Sequence, residues 1–205
     1  MEKQIEKIYN RPARPGMVGD GFRVFNYFPN EELTQGGPFE MIQLWVNLPA
    51  KNKLAIPKYQ AITADQMGKV MLADDSGLVN VIAGSFNEHK GPATTFTPVN
   101  MFDIRLNKGG HLTTSIPLAH HTILLVVNGE IEVNNEKAGQ HDLVLFKNKG
   151  EEINVNADKD SVVLLLSGEP INEPIAQYGP FVMNTHRELQ EAFQEFQSGK
   201  FGVLE

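Results

Sequence analysis

From residue 69 onward, apolar and polar positions alternate in short bursts, each closed by turn residues. Bursts at 79–83, 99–106, 112–116, 122–127, 130–134, 142–147, 151–156 and 161–167 have the length and the period of strands. Lys108-Gly109-Gly110, Asn128-Gly129, Asn134-Asn135 and Lys149-Gly150 mark turns between them. Asn128-Gly129 is the strongest hairpin signal, because a two-residue type I′ turn needs positive φ at both central positions. Many short strands at regular spacing predict a closed or sandwiched all-β unit. Leu124, Val126, Leu145 and Leu164 are expected to fill its interior, subject to which alternate set faces inward.

The rest of the chain reads differently. Residues 1–10 alternate in charge without an apolar core, unlike a signal peptide. Gly19-Asp20-Gly21 reads as a turn into a short strand that ends at residue 25. Residues 39–48 form a strongly apolar strand pattern that contains the single tryptophan, Trp45. Residues 50–60 have no periodicity and read as an extended linker. Residues 169–183 carry Pro170, Pro174 and Pro180 and read as an extended strap. Thr185 and Glu188 then fit a capping box, and Leu189, Phe193 and Phe196 follow at helical spacing. This helix is expected to dock its Phe face on the barrel, with Gly199 as its stop.

Composition narrows the chemistry. The chain has 205 residues, a net charge of -7 and no cysteine. Disulfides, thiolate zinc sites and Cys nucleophiles are excluded. An acidic surface has no long-range attraction for phosphate backbones or anionic lipid, so neither is expected as a direct partner. No apolar run reaches the ~20 residues of a membrane helix, and a cytoplasmic location is expected. Ser115 and Ser167 lack a nucleophile-elbow context, which removes the hydrolase reading.

Three strings carry a resemblance. They are Val18-Gly19-Asp20-Gly21-Phe22; Gln43-Leu44-Trp45-Val46-Asn47-Leu48-Pro49-Ala50-Lys51 with Pro57-Lys58-Tyr59-Gln60; and Leu166-Ser167-Gly168-Glu169-Pro170-Ile171-Asn172-Glu173-Pro174 running on to Tyr178-Gly179-Pro180-Phe181. Together they resemble the pirin family of the cupin superfamily. The resemblance implies an all-β bicupin, with cupin-type barrels of the double-stranded β-helix kind. It implies a complete C-terminal barrel and a short C-terminal α-helix. In the family the N-terminal barrel binds a transition metal, usually iron, through a His-x-His pair and a later His-x-Glu pair. Here only residues 26–35 stand where the family carries those ligands, so the N-terminal barrel is expected to be truncated. Residues 1–60 would be the remnant of that domain and its linker, and 61–205 the C-terminal cupin domain with its strap and helix.

The histidines are His89, His111, His120, His121, His141 and His186, and no two form His-x-His. His120-His121 reads as a polar turn, because adjacent residues on a strand point to opposite faces. A relocated metal site would draw on His111, His121, His141 and Glu130, which a barrel could bring together at its strand ends. The expected function is a metal-free, non-catalytic pirin-like protein with a binding or regulatory role. The alternative is a quercetin 2,3-dioxygenase-type oxidoreductase using iron or another divalent metal. The expected partners are a second copy of the chain, docked through exposed N-terminal strands bearing Ile42 and Trp45, and a regulatory protein.

Overall fold

The structure is a computed structural model that describes residues 1–9 and 42–201. The strand expected near residues 18–25 lies outside the described residues. The chain divides into two compact units, which among the described residues comprise 1–9 with 60–170, and 42–59 with 171–201. No described helix is long and apolar enough to cross a membrane.

The first unit contains two facing antiparallel sheets. Its strands are β1 (Ile5–Tyr9), β2 (Gly68–Met71), β3 (Gly77–Ala83), β4 (Ser85–Phe86), β5 (His89–Lys90), β6 (Val99–Leu106) and β7 (His111–Ser115). They continue with β8 (His121–Asn128), β9 (Glu130–Val133), β10 (Glu136–Gly139), β11 (Leu143–Phe146), β12 (Glu152–Ala157) and β13 (Ser161–Gly168). The large sheet runs β1-β11-β8-β13-β6-β3-β2 and the small one β10-β9-β12-β7. Every predicted strand from residue 79 to 167 is present, with ends shifted by one or two residues.

The core lies between the sheets and follows period two. Leu124 and Val126 of β8 are buried in it, as expected. Leu145 and Leu164 are not part of it. On β11 the inward set is Val144 and Phe146, and on β13 it includes Val163 and Leu165. The register explains this: Val163 pairs with Val126, and Leu165 with Leu124. Cross-strand partners share a face, so Leu164 lies on the opposite one. Leu164 is still only 8% exposed there. The unbroken apolar run in β13 thus reflects a strand buried on both faces.

Asn128-Gly129 does not form a hairpin. Strand β8 belongs to the large sheet and β9 to the small one. Only Gly129 has positive φ, at 93°, and a Cβ there would strike the Asp160 and Ser161 backbone. The pair is a corner between sheets, pressed against the turn before β13. The two-residue hairpin is instead Asn134-Asn135, with φ of 44° and 68°, which joins β9 to β10.

The N-terminal residues hold another departure. Ile5–Tyr9, within the charge-alternating residues 1–10, is an edge strand paired with β11. Ile5 and Ile8 pack against the core. Residues 42–48, expected as a strand, form none: they make no ladder pairing among the described residues. Apolar content alone does not make a strand without a partner edge.

In the second unit, β14 (Ala176–Tyr178) and β15 (Phe181–Met183) form a hairpin inside the segment read as an extended strap. Helix α1 (His186–Gln197) follows, with the capping box between Thr185 and Glu188 in place. Its buried residues are Leu189 and Ala192. The Phe face is not buried as expected. Phe193 is 39% exposed and stacks edge-on against Tyr178 and Phe181 of the hairpin.

These positions separate in stability. Leu165→Ala should cost about 2–5 kcal/mol, whereas Leu145→Ala, outside the core, should cost less than half as much. Phe193→Ala should cost about 1–2 kcal/mol, below the range for a fully buried ring. Urea denaturation of the three variants measures the ranking. Equal losses at Leu165 and Leu145 would mean the inward set has been assigned to the wrong parity.

Candidate functional site

One end of the barrel is polar inside. The inward parity that runs through Leu124 and Val126 continues backward to Thr122 and His120. On β13 it ends at Ser167, which pairs with Thr122 on one side and Asn100 on the other. Asn100 Nδ2 donates to Ser167 Oγ at 3.0 Å, and that hydroxyl lies 3.2 Å from His120 Nδ1. That hydroxyl can donate to Nδ1 or accept from it, according to the ring's tautomer. His120 is 7% exposed, so it is a buried imidazole and not part of a solvated turn. His121, its neighbour, points to the opposite face and is exposed.

A lysine completes this end. Lys3 is 0% exposed, and its Nζ has no hydrogen-bond partner among the described residues. Its backbone is tightly held. Lys3 N donates to Glu152 O at 2.6 Å, and Lys3 O accepts from Asn134 Nδ2 at 2.6 Å. Gln4 and Met1 add bonds to Lys149, Lys147 and Glu151. Gly150, at φ 76°, lies beneath this strap, where a Cβ would collide with the Glu2 carbonyl. Glycine is needed there twice over, for the positive φ and for the close approach.

The electrostatics follow from burial. Desolvation pushes the Lys3 ammonium below its ordinary range, and the Glu151 charge partly opposes this. Desolvation also lowers the His120 pKa; Glu169 pulls it up and the nearby Lys3 charge pushes it down. Neither Lys3 nor His120 stood among the residues singled out from sequence. His120 shares parity with Leu124 and Val126, but the run 123–127 is apolar on both faces and gives no sign of which one is inward. Lys3 gives none either, because lysine is almost never fully buried.

The residues that were singled out do not converge. His111 opens β7, is exposed, and contacts Ser76 Oγ at 3.2 Å. His121 lies beside Gly168, the last residue of β13. Glu130 lies beside Ser161, the first, and pairs with Lys159 at 2.8 Å. Those two ends are roughly 23 Å apart at strand rise. His141 is a turn residue with φ 69°. No group of three or more His, Asp or Glu among the described residues is placed to hold a metal ion.

The divalent metal implied by the family does not fit the polar end either. Among the described residues it offers one imidazole, a hydroxyl and an amide, and no carboxylate joined to them. Residues 10–41 contribute no histidine.

Comparison with known proteins places this architecture. Residues 101–202 match the pirin C-terminal cupin domain. A Pseudomonas aeruginosa protein with a provisional quercetin 2,3-dioxygenase name is 38% identical over 166 residues, covering 81% of this chain and 58% of its own. Human pirin is 31% identical over 170 residues, covering 80% of this chain and 58% of its own. The crystal structure of a quercetin 2,3-dioxygenase from Acinetobacter baumannii superposes with a TM-score of 0.76 at 41% identity, over 80% of this chain and 57% of that one. The chain thus spans a little over half the length of these relatives. Two facing antiparallel sheets with this match define a cupin. Within the cupins, the chain belongs to the pirin family.

Two pH windows should report on the polar end. A base whose folded pKa is depressed takes up its proton more readily when unfolded, so stability rises with pH between its folded and unfolded values. For His120 the contribution is complete above about 6.5, its ordinary value, and is lost as the pH falls through the folded one. For Lys3 the same rise continues toward 10.5. Urea midpoints measured against pH should show a shallower acid limb in His120→Gln and a flatter alkaline limb in Lys3→Met. Parallel curves for wild type and both variants would place the two groups in water.

Proposed function

We propose that this chain acts as a pirin-type cupin by binding, and not by metal-centred oxygenation of a flavonol. The supporting observation is the composition of the polar barrel end, where the described residues bring together one imidazole, a hydroxyl and an amide. That set lacks the several imidazole and carboxylate ligands such a metal requires. The N-terminal part of the family fold, where the metal ligands belong, is truncated in this reading. The dispersed positions of His111, His121, His141 and Glu130 give no substitute cage.

The second reading is a flavonol dioxygenase of the kind for which the bacterial relatives are named. It rests on their 38% and 41% identity over four-fifths of the chain. Elemental analysis after purification without chelators, with flavonol consumption assayed in added iron, separates the two. Well under one metal per chain and no flavonol consumption are expected. Near-stoichiometric retained metal, lost when His111 and His141 are replaced, would establish the dioxygenase reading instead.

The binding reading includes a second copy of the chain as partner. Ile42 and Trp45, expected on exposed strands, are half-buried, whereas Leu54, Ile56 and Tyr59 are large apolar residues left in water, which a partner surface would cover. Light scattering should give a dimer mass, and a stable monomer at micromolar dilution would remove this part of the proposal.

A further inference from the structure

The two facing sheets end in four edge strands, β1 and β2 on the large sheet and β10 and β7 on the small one. An exposed edge is a template for another strand, and bulges, charges and short length ordinarily blunt it. Three of the four edges carry such devices. The β1 strand is bulged between Ile5 and Lys7 and bears Glu6 and Lys7. The β2 strand has four residues with Lys69 among them, and a Cβ at Gly68 would meet the Lys90 carbonyl at 2.9 Å. The β10 strand has four residues, two of which are Glu136 and Lys137. The β7 strand, His111-Leu112-Thr113-Thr114-Ser115, has five residues in unbroken register with β12 and no proline, carboxylate, lysine or arginine. Its outer backbone groups are unused. Ala157 N donates to Gly110 O, and Ile116 N donates to Glu151 O. Bonded and non-bonded pairs alternate along an antiparallel ladder, so Leu112 and Thr114 also bond to β12. The N–H and C=O groups of His111, Thr113 and Ser115 therefore point the other way, and none has a partner among the described residues. All three residues are exposed.

We propose that β7 is the docking edge for β7 of a second copy, the two strands pairing antiparallel about a two-fold axis at Thr113. The unused groups have the right phase for this. Thr113 faces its own counterpart and His111 faces Ser115 of the other copy, so each free N–H meets a free C=O. The two four-stranded sheets join into one continuous sheet. The side chains agree with the same register. Threonine opposite threonine is a favourable cross-strand pair, and histidine opposite serine brings no like charges together. Asn154 Oδ1 accepts the Thr113 hydroxyl at 2.7 Å, which orients that side chain before docking. Each copy carries a net charge of -7, so an edge without carboxylates is where two copies meet with least repulsion. An unrelated extended peptide would use the same backbone groups but would not account for a strand that is self-complementary about Thr113. The proposal rests on the reading in which a second copy is the partner, and it gives that copy a docking edge without using Leu54, Ile56 or Tyr59.

The test uses the whole chain and the variants Thr113→Lys and Thr113→Glu. Thr113 is exposed in the single chain, so both variants should keep the wild-type circular dichroism and thermal midpoint in dilute solution. Self-association is measured by sedimentation across a dilution series, and hydrogen exchange is followed at the amides of Thr113 and Ser115. Wild type should dimerise, with both amides protected at high concentration and exchanging freely on dilution. Each variant alone should weaken the dimer roughly tenfold or more, because two like charges are set opposite each other. Mixing the two variants in equal amounts should restore association, since lysine then faces glutamate. A dimer that neither substitution weakens, with both amides exchanging freely, would overturn the β7 edge and leave the second-copy partner standing. A dimer weakened by both substitutions and not restored by mixing would overturn the register about Thr113. A wild-type monomer at every concentration would overturn the edge and the second copy together. The exchange measurement on wild type decides the matter even if a variant fails to fold.

Discussion

Strand β13 is hydrogen-bonded on both edges, to β8 on one side and β6 on the other, along nearly its whole length. Its phase therefore fixes what lies inside the barrel. A shift of one residue would exchange Val163 and Leu165 for Leu164 and Leu166, and would move Ser167 out of reach of Asn100 and His120. Apolar burial alone would not prevent that shift, because both faces of the strand are buried and leucine would replace leucine. Polar positions break the degeneracy. Ser161 Oγ accepts the Glu130 amide at one end, and Ser167 Oγ joins Asn100 to His120 at the other. A buried hydroxyl turned to the wrong face would leave those partners unsatisfied, at a cost of about 1–3 kcal/mol each. Register here is set by the ends of the strand more than by its middle.

The same argument explains which parts of the fold could be read from the sequence. Strand positions from 79 to 167 were legible because turn residues punctuate them. The capping box at Thr185 and Glu188 was legible because it is a local bond pattern. The inward parity of β8, β11 and β13 was not, since both alternate sets are apolar in each. Asn128-Gly129 misled because turn chemistry specifies local φ and not which sheet the next strand joins. That choice depends on the approach of Gly129 to the Asp160-Ser161 backbone, more than thirty residues away in sequence.

The polar end shows a sharper limit. His120 and Thr122 share the parity of Leu124 and Val126, but the apolar run 123–127 does not say which parity faces inward. The contrary signal was the apparent turn between Pro117 and Thr122, which favoured solvent. Lys3 carried no such hint. Its burial is produced by the backbone of residues 1–4, which is tied to 147–152 and to Asn134, and by a glycine at 150 that lets the strap come close. These are long-range contacts in which lysine's own hydrophobicity has no part.

That origin bears on what the buried ammonium costs. A lysine drawn inward by its aliphatic stem normally snorkels, keeping its head in water. Lys3 does not: it is fully buried. The strap holds it against its own desolvation. Such an arrangement persists because the strap's backbone bonds outweigh the penalty. An uncharged side chain of similar length would avoid that penalty, so Lys3→Met should make the chain more stable without loosening the strap.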